Sequence, residues 1–413
     1  MSAIEGHSDD LVAERVWENP HAYFAHLRET DPVHWNPHLG SWMVSRHSDV
    51  LRLIRTPENF SSALQEFDPR AVVPAIPESQ LDEALALSEE LETLVVTDPP
   101  EHTAIRQTIH RWFTPRAVEK WRYELGAIAR DLIRTHQSDG GMELKRDFAT
   151  QLPLKTICMM LGIPMADVAQ LHALAAARAK SKSESIGRGF DLARARDAEQ
   201  SRRSLYGYFM PLIEQRAKSP GEDLISMLAE GARRGAMTER QCIDNVILLL
   251  IAGHETTLNL ISNGVLAFIQ NPAQWSLLCS DPEGVCASAV EECLRYEPSF
   301  PILYRVCTRD TELGDRVIHA GDRVNWIAAA ANRDPRVFDE PDQFDINRCP
   351  NPHVSFGGGI HHCLGAALTR IEAQEAFKAL AHETPKLRLA TDRTEYEPQI
   401  MLRALRSLPV TWN

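Results

Sequence analysis

Apolar residues recur every three or four positions through most of the chain. In "AVEKWRYELGAIARDLIRTH" (117–136) and "DLARARDAEQSRRSLYGYFMPLIEQRAK" (191–218) charges fill the gaps between them, which predicts amphipathic helices. Alternating, strand-like patterns are sparse: "GSWMVSR" (40–46), weakly "DVLRLI" (49–54), "TELGDRVIHAGDRVNWIA" (311–328) with its Gly-Asp turns, and "RSLPVTW" (406–412). The pattern predicts a mainly helical fold with small sheets.

One helix stands apart. "TERQCIDNVILLLIAGHETTLNLISNGVLAFIQNP" opens on Thr238 with Gln241 three residues later, a capping-box spacing, and stops before Pro272. About 33 residues at 1.5 Å each span roughly 50 Å, enough to cross a domain. Its middle is apolar nearly all round, so burial is expected.

No Pro-rich or Gly/Ser-rich linker and no solenoid repeat marks a boundary, so residues 1–413 read as one catalytic unit. The stretch 61–102, "SSALQEFDPRAVVPAIPESQLDEALALSEELETLVVTDPPEH", is the longest irregular segment and reads as a binding wall or lid. Apolar residues at 44% and charged ones at 24% are ordinary for a soluble globular protein, and a net charge of -13 argues against a nucleic-acid binder. The acidic amino terminus lacks the basic start of a signal peptide, and no segment reads as a membrane anchor, so a cytoplasmic location is expected. Eight cysteines without CxxC spacing read as reduced, mostly buried thiols, with Cys363 the exception.

Three constellations carry candidate chemistry. The apolar centre of the long helix holds Ala252-Gly253-His254-Glu255-Thr256-Thr257. Burying Glu255 and Thr256 there costs several kcal/mol unless partners satisfy them, and a mid-helix glycine about 1 kcal/mol more. Three such penalties in one turn suggest a site, while the bland alternative is a glycine admitting a neighbouring helix and a glutamate turned to solvent. A zinc-protease reading fails, because HExxH would need histidine where Leu258 stands.

The second is "FGGGIHHCLG", 356–365. Its glycines allow positive φ and close approach to a flat ligand, and a helix starting after Cys363 would aim unpaired amides at the sulfur, favouring thiolate. Zinc would want more ligands at the proper spacing, and a cysteine hydrolase a recognisable base and acid. A lone thiolate beside glycines fits axial ligation of haem iron best. The third, "EECLRY", puts Glu292 and Arg295 on one helical face and is weak by itself.

In this order and spacing these residues resemble the cytochrome P-450 family of haem-thiolate monooxygenases, specifically its soluble bacterial members. The cysteine signature falls on Phe356, Gly359, His361, Cys363 and Gly365, the Glu-x-x-Arg pair on Glu292 and Arg295, and the central-helix pattern on Ala252, Gly253, Glu255 and Thr256. The similarity continues through "TDPPEHTAIR", "AAANRDPRVFDEPDQFDINR" and "PHVSFGGG" and covers the chain from about residue 20. It implies a mainly α, single-domain fold with small β-sheets, whose long central helix crosses over the haem, and a loosely ordered segment at residues 1–20.

The resemblance further implies haem b ligated through Cys363, with propionates held by His102, Arg106, Arg305 and His353. Arg348 would complete a structural triad with Glu292 and Arg295. Thr256 is assigned to hydrogen-bonding bound oxygen and its waters, and Glu255 to proton relay, which fits a reaction needing protons delivered to oxygen. Retention of this acid–alcohol pair favours O2 as cosubstrate over peroxide. His254 has no assigned role, and Thr369, where many relatives carry alanine, is expected to concern packing.

Pocket walls are expected from Val95, Val96, Leu248, Ile251, Ala252, Gly253, Pro301, Leu303 and Gln399-Ile400-Met401, nearly all apolar, so the expected substrate is a hydrophobic small molecule. The basic stretch 178–196 falls where the family has mobile lid helices and reads as a solvated charged helix. Electrons are expected from NAD(P)H through a separate ferredoxin or flavodoxin and its reductase, docking near Arg111, Arg116 and Arg370. The chain is expected to be a monomer. The rival readings are a haem-thiolate enzyme with peroxygenase or other chemistry, and a non-catalytic haem-binding protein.

Overall fold

The helix expected to begin at Thr238 runs from Glu239 to Gln270 in the computed structural model, which describes residues 9–11, 13–63, 83, 87, 91–185 and 191–413. Thr238 accepts from the Gln241 amide while the Gln241 side chain accepts from the Thr238 amide, closing the capping box. This helix is long and apolar enough to cross a membrane, but 67% of that stretch is buried inside the fold, so it serves as the core's axis. The helices Gln151–Leu161, Leu224–Arg233 and Ala366–Glu383 pack around it. Their apolar faces and its own form one large core that includes Leu161, Leu228, Ile261, Phe268 and Phe377.

Beside this helical body stands a five-stranded sheet built from β1 (Val33–Asn36), β2 (Ser41–Val44), β3 (Phe60–Ser61), β5 (Ile302–Cys307) and β8 (Arg323–Ile327), in the order β1-β2-β8-β5-β3. β2 and β8 are parallel and the other pairs antiparallel, with Val33 opposite Val44 and Arg305 opposite Val324. A three-stranded sheet joins β4 (Gly141–Glu143), β9 (Arg388–Leu389) and β10 (Pro409–Thr411), and a hairpin pairs β6 (Thr311–Leu313) with β7 (Arg316–Ile318). The strands expected at 40–46, 311–328 and 406–412 are therefore present.

Residues 49–54 are not a strand but lie in the helix His47–Arg55. Val50, Leu53 and Ile54 are buried on one face while Asp49, Arg52 and Arg55 supply the charge, a helical spacing that a six-residue window disguises as alternation. Within the described part of residues 1–20, side chains pack against the body of the fold. Leu11 and Val16 are buried against Tyr23, Phe24 and Met43, and Arg403 donates to the carbonyls of Trp17 and Glu18.

Of the expected lid at 61–102, residues 64–82, 84–86 and 88–90 lie outside the described residues. Its end is tied to the central helix: the Glu92 amide donates to Asp244 at 2.8 Å and the Leu94 amide to Asn245 at 3.0 Å. The basic stretch 178–196 bridges the helices Val168–Ser185 and Leu192–Lys218, with 186–190 outside the described residues.

Candidate functional site

Midway along a helix buried towards both ends, Ala252 is exposed and Ile251, Gly253, Glu255 and Thr256 are half-buried, so the centre of the fold borders open space here. The Thr256 hydroxyl donates back to the Ala252 carbonyl at 3.1 Å, and Ser299 donates to the Thr256 carbonyl at 2.7 Å. Glu255 does not turn to solvent. Its apolar surroundings push the carboxyl up to about 7, opposed by the Lys145 ammonium. Gly253 does follow the bland alternative: a Cβ there would lie 2.8 Å from Cγ1 of Ile157, so its missing side chain admits the neighbouring helix rather than a ligand.

The cysteine loop closes on itself, with the Cys363 amide donating to the Phe356 carbonyl at 2.8 Å. Gly357 and Gly359 take φ of 66° and 62°, as the loop requires. The close approach made at Gly358 and Gly359 is to Ile54, whose carbonyl would lie 2.5 Å from a Cβ on Gly359. Gly365 differs, since a Cβ there would meet nothing within 4 Å. The helix Ala366–Glu383 begins directly after the loop. Burial outweighs the opposing pull of the Gly365 and Ala366 amides and of the cations Arg106 and Arg370, so on balance the Cys363 thiol is pushed up. Cys363 is only partly shielded, so its sulfur sits at the border of the core.

Cationic groups gather beside it. His102 is buried and neither ring nitrogen finds a partner among the described residues; its ring packs 4.4 Å from that of His361. Burial, with His361 and Arg106 nearby, lowers its pKa to about 4. Arg106 donates to the His362 carbonyl at 2.7 Å. Arg305, carried in by β5, donates to its neighbour Tyr304, and burial lowers it to about 10. Together these shielded donors are suited to bind an anion. His102, Arg106, His110, Arg111 and Gly359 border a cavity of about 490 Å³. His361 is held 3.4 Å from Asp98, which also accepts from Ser61 at 2.5 Å.

His353 stands apart from the other expected propionate partners. Its Nε2 lies 3.1 Å from Glu291 and its Nδ1 3.3 Å from the Ser355 amide, so the ring is committed to protein groups. Arg370, expected on a docking face, is likewise engaged by Glu291 through a two-pronged pair at 2.7 and 2.9 Å. A partly shielded carboxylate that bonds both holds them in place. Arg111 and Arg116 are exposed.

Glu292 and Arg295 are fully buried and paired at 2.7 and 2.8 Å. Arg295 also donates to the carbonyls of Asn332, Pro341 and Gln343, and Glu292 accepts from the Asp345 amide, Asn351 and Arg348. The network ties one helix to the coil leading into the cysteine loop. Of the expected pocket residues, Val95, Leu248, Ile251, Ala252 and Leu303 keep exposed surface, whereas Val96, Pro301 and Ile400 are buried. Ile400 packs in the amino-terminal cluster with Leu11 and Met43, which takes it out of an open wall.

Sequence reasoning did not find Ser299, Asp98, Glu291 or Glu372. Glu372 is fully buried on the cysteine helix, where burial pushes it up to about 8 against bonds from Thr257 and Thr156. Thr369 lies 3.5 Å from the Thr257 hydroxyl in the same group. A helix "RIEAQEAF" reads as amphipathic with solvated acids, so only the fold exposes this exception.

A family model described as Cytochrome P450 matches residues 285–383. The chain is 35% identical over 412 residues to the biotin biosynthesis cytochrome P450 of Bacillus subtilis (strain 168), covering 98% of this chain and 99% of that one. It is also 35% identical to the vitamin D(3) 25-hydroxylase of Pseudonocardia autotrophica, over 97% and 96% of the two chains. Among solved structures, P450BioI in complex with acyl carrier protein ligated to hexadec-9Z-enoic acid superposes with a TM-score of 0.86 at 33% identity, covering 97% and 99%.

Proposed function

The chain belongs to the cytochrome P450 family, and from that premise we propose that Cys363 is the axial ligand of its haem and that Glu255 and Thr256 handle the protons of the reaction. The protein is a haem-dependent monooxygenase that inserts one atom of O2 into a small organic molecule. Bound haem supplies the redox chemistry, which a thiolate ligand strengthens by pushing electron density towards O–O cleavage.

The residues present fit the group. The sulfur lies at the edge of the core, where two backbone amides and two arginines offset part of the burial that raises it, and a bound iron would supply the remaining stabilisation of a thiolate. The unpartnered His102, the desolvated Arg305 and Arg106 supply donors suited to two propionates. Gly365 would leave room for a flat macrocycle, and the exposed Ala252 turn borders open space.

The carboxyl of Glu255 titrates near working pH, so it can both hold a proton and surrender it. Thr256 Oγ1 can accept a hydrogen bond from a proton-carrying water and so position it, while its own hydrogen runs to the Ala252 carbonyl. Ser299 fixes the carbonyl of that residue and so the placement of its hydroxyl. The apolar surface of Leu248, Ile251, Ala252 and Leu303 selects a hydrophobic substrate and keeps bulk water from the oxygen.

Electrons come from a redox partner, which we assign to a ferredoxin or flavodoxin with an NAD(P)H-dependent reductase, meeting exposed Arg111 and Arg116 on a monomer in the cytoplasm. The Glu255 carboxyl, held near neutral titration inside an apolar helix, carries the choice of monooxygenase over carrier, since a carrier has no use for it. The test compares turnover of a hydrophobic probe under two regimes. Product that requires O2, reductase and ferredoxin supports the reading. Product that requires only peroxide, with none from the reductant system, contradicts it.

A further inference from the structure

The residue before the buried Glu292 points the other way, towards the cysteine helix. Glu291 takes both prongs of the Arg370 guanidinium, at 2.7 and 2.9 Å, and His353 Nε2 at 3.1 Å. Burial would raise its carboxyl, but these bonds outweigh that and hold it down to about 2, so it is anionic throughout the working range. The Arg370 guanidinium lies 4.6 Å from the centre of the Phe356 ring. Phe356 is buried, and its carbonyl receives the Cys363 amide at 2.8 Å. A cation, an anion and an aromatic ring thus lie in sequence beside the cysteine loop, and the Arg370 charge acts on the Cys363 thiol.

We propose that the Glu291–Arg370 pair, acting across Phe356, is a positioning and tuning device that sets the electrostatic potential at the Cys363 sulfur and hence the reduction potential of the iron it holds. This rests on the haem-thiolate reading. One-electron reduction adds negative charge to the iron–sulfur unit, so a nearby cation favours the reduced form and a nearby anion the oxidised one. Alone, Arg370, about a third exposed, would raise the potential through a partly solvent-screened interaction. Paired with Glu291 it becomes a short dipole whose positive end abuts the ring, with a weaker field at the sulfur.

The consequence is a pair of shifts with opposite signs. Glu291→Gln uncovers the guanidinium and should raise the potential of the substrate-free holoenzyme. Arg370→Gln removes the cation and uncovers the carboxylate, and should lower it. Each shift should correspond to about a tenfold change in the one-electron reduction equilibrium, about 59 mV. The double variant should return close to the parent, and Arg370→Lys, which keeps the charge, should stay near it. Spectroelectrochemical titration reads these values without substrate or redox partner.

Opposite shifts, with the reduced carbon monoxide band unchanged in position, support the proposal. Unshifted potentials with that band intact overturn it and leave the haem-thiolate reading standing; Arg370 would then serve docking or packing alone. Shifts of the same sign in both variants also overturn it, because loosening of the loop has no charge dependence. If Arg370→Gln does not load haem, the Glu291→Gln result decides, and no rise there overturns the proposal. Absence of a thiolate-type band in the parent would instead sink the underlying reading.

Discussion

Replacing Glu255 by glutamine tests the proton pathway with the least disturbance to shape. The carboxamide fills the same volume beside Lys145 but carries no transferable proton. In the parent the carboxyl titrates at about 7, so about half the molecules hold the proton at pH 7, about nine-tenths at pH 6 and about a tenth at pH 8. Positioned acid–base groups contribute about 10²–10⁴-fold, so the variant should turn over at least about 100-fold more slowly, equivalent to about 2.7 kcal/mol of barrier. The assay measures product formed and reductant consumed between pH 6 and 8, with ligand-induced Soret shifts checking that the pocket is unchanged. The parent should lose activity as pH rises through about 7, because the ionised form has no proton to give, and the variant should lose that dependence. Glu255→Asp should recover part of the rate. Turnover within twofold of the parent across this range, with the same pH dependence, would refute the role of Glu255.

Further expectations follow from packing and charge. Glu292→Gln leaves Arg295 and Arg348 facing a neutral group inside the protein, a loss of about 3–5 kcal/mol; thermal unfolding and haem-to-protein ratio should both fall, and an unchanged midpoint would contradict the network's importance. Gly253→Ala puts a methyl 2.8 Å from Ile157 Cγ1 and should cost about 1–3 kcal/mol, largely relieved in combination with Ile157→Ala. Additive losses in the thermal midpoint would show that the two side chains do not collide. Glu372, raised from 4.5 to about 8, keeps in the folded state a proton that the unfolded chain releases, so its contribution is present at low pH and fades as pH rises from about 4.5 to 8. Glu372→Gln should flatten that decline in unfolding experiments, and a slope identical to the parent's would contradict the assigned burial.

The central helix and the cysteine loop were legible because their signals are local: a capping box ahead of an apolar run, and glycines next to a lone cysteine before a helix. The Glu292–Arg295 pair was legible as spacing, but its weight came from partners 37 to 59 residues away that no periodicity announces. Long-range pairs set the limit elsewhere too. Glu291 meets Arg370 across 79 residues, and Ser299 meets Thr256 across 43, so neither could be read from a window of sequence. β5 escaped the alternation test because Val306 and Cys307 are consecutive buried residues in an inner strand, and the two-residue β3 is too short to show any period. The helix at His47–Arg55 shows the converse, where a short apolar run supports either period until its neighbours bury one face.

The most direct test of the account is the absorption spectrum of the purified holoenzyme after reduction, with and without carbon monoxide, in the parent and in Cys363→Ala. The account predicts a strongly red-shifted Soret band in the parent that disappears in the variant. A parent band typical of histidine ligation, or one that survives loss of Cys363, would contradict the assignment of this sulfur to the iron.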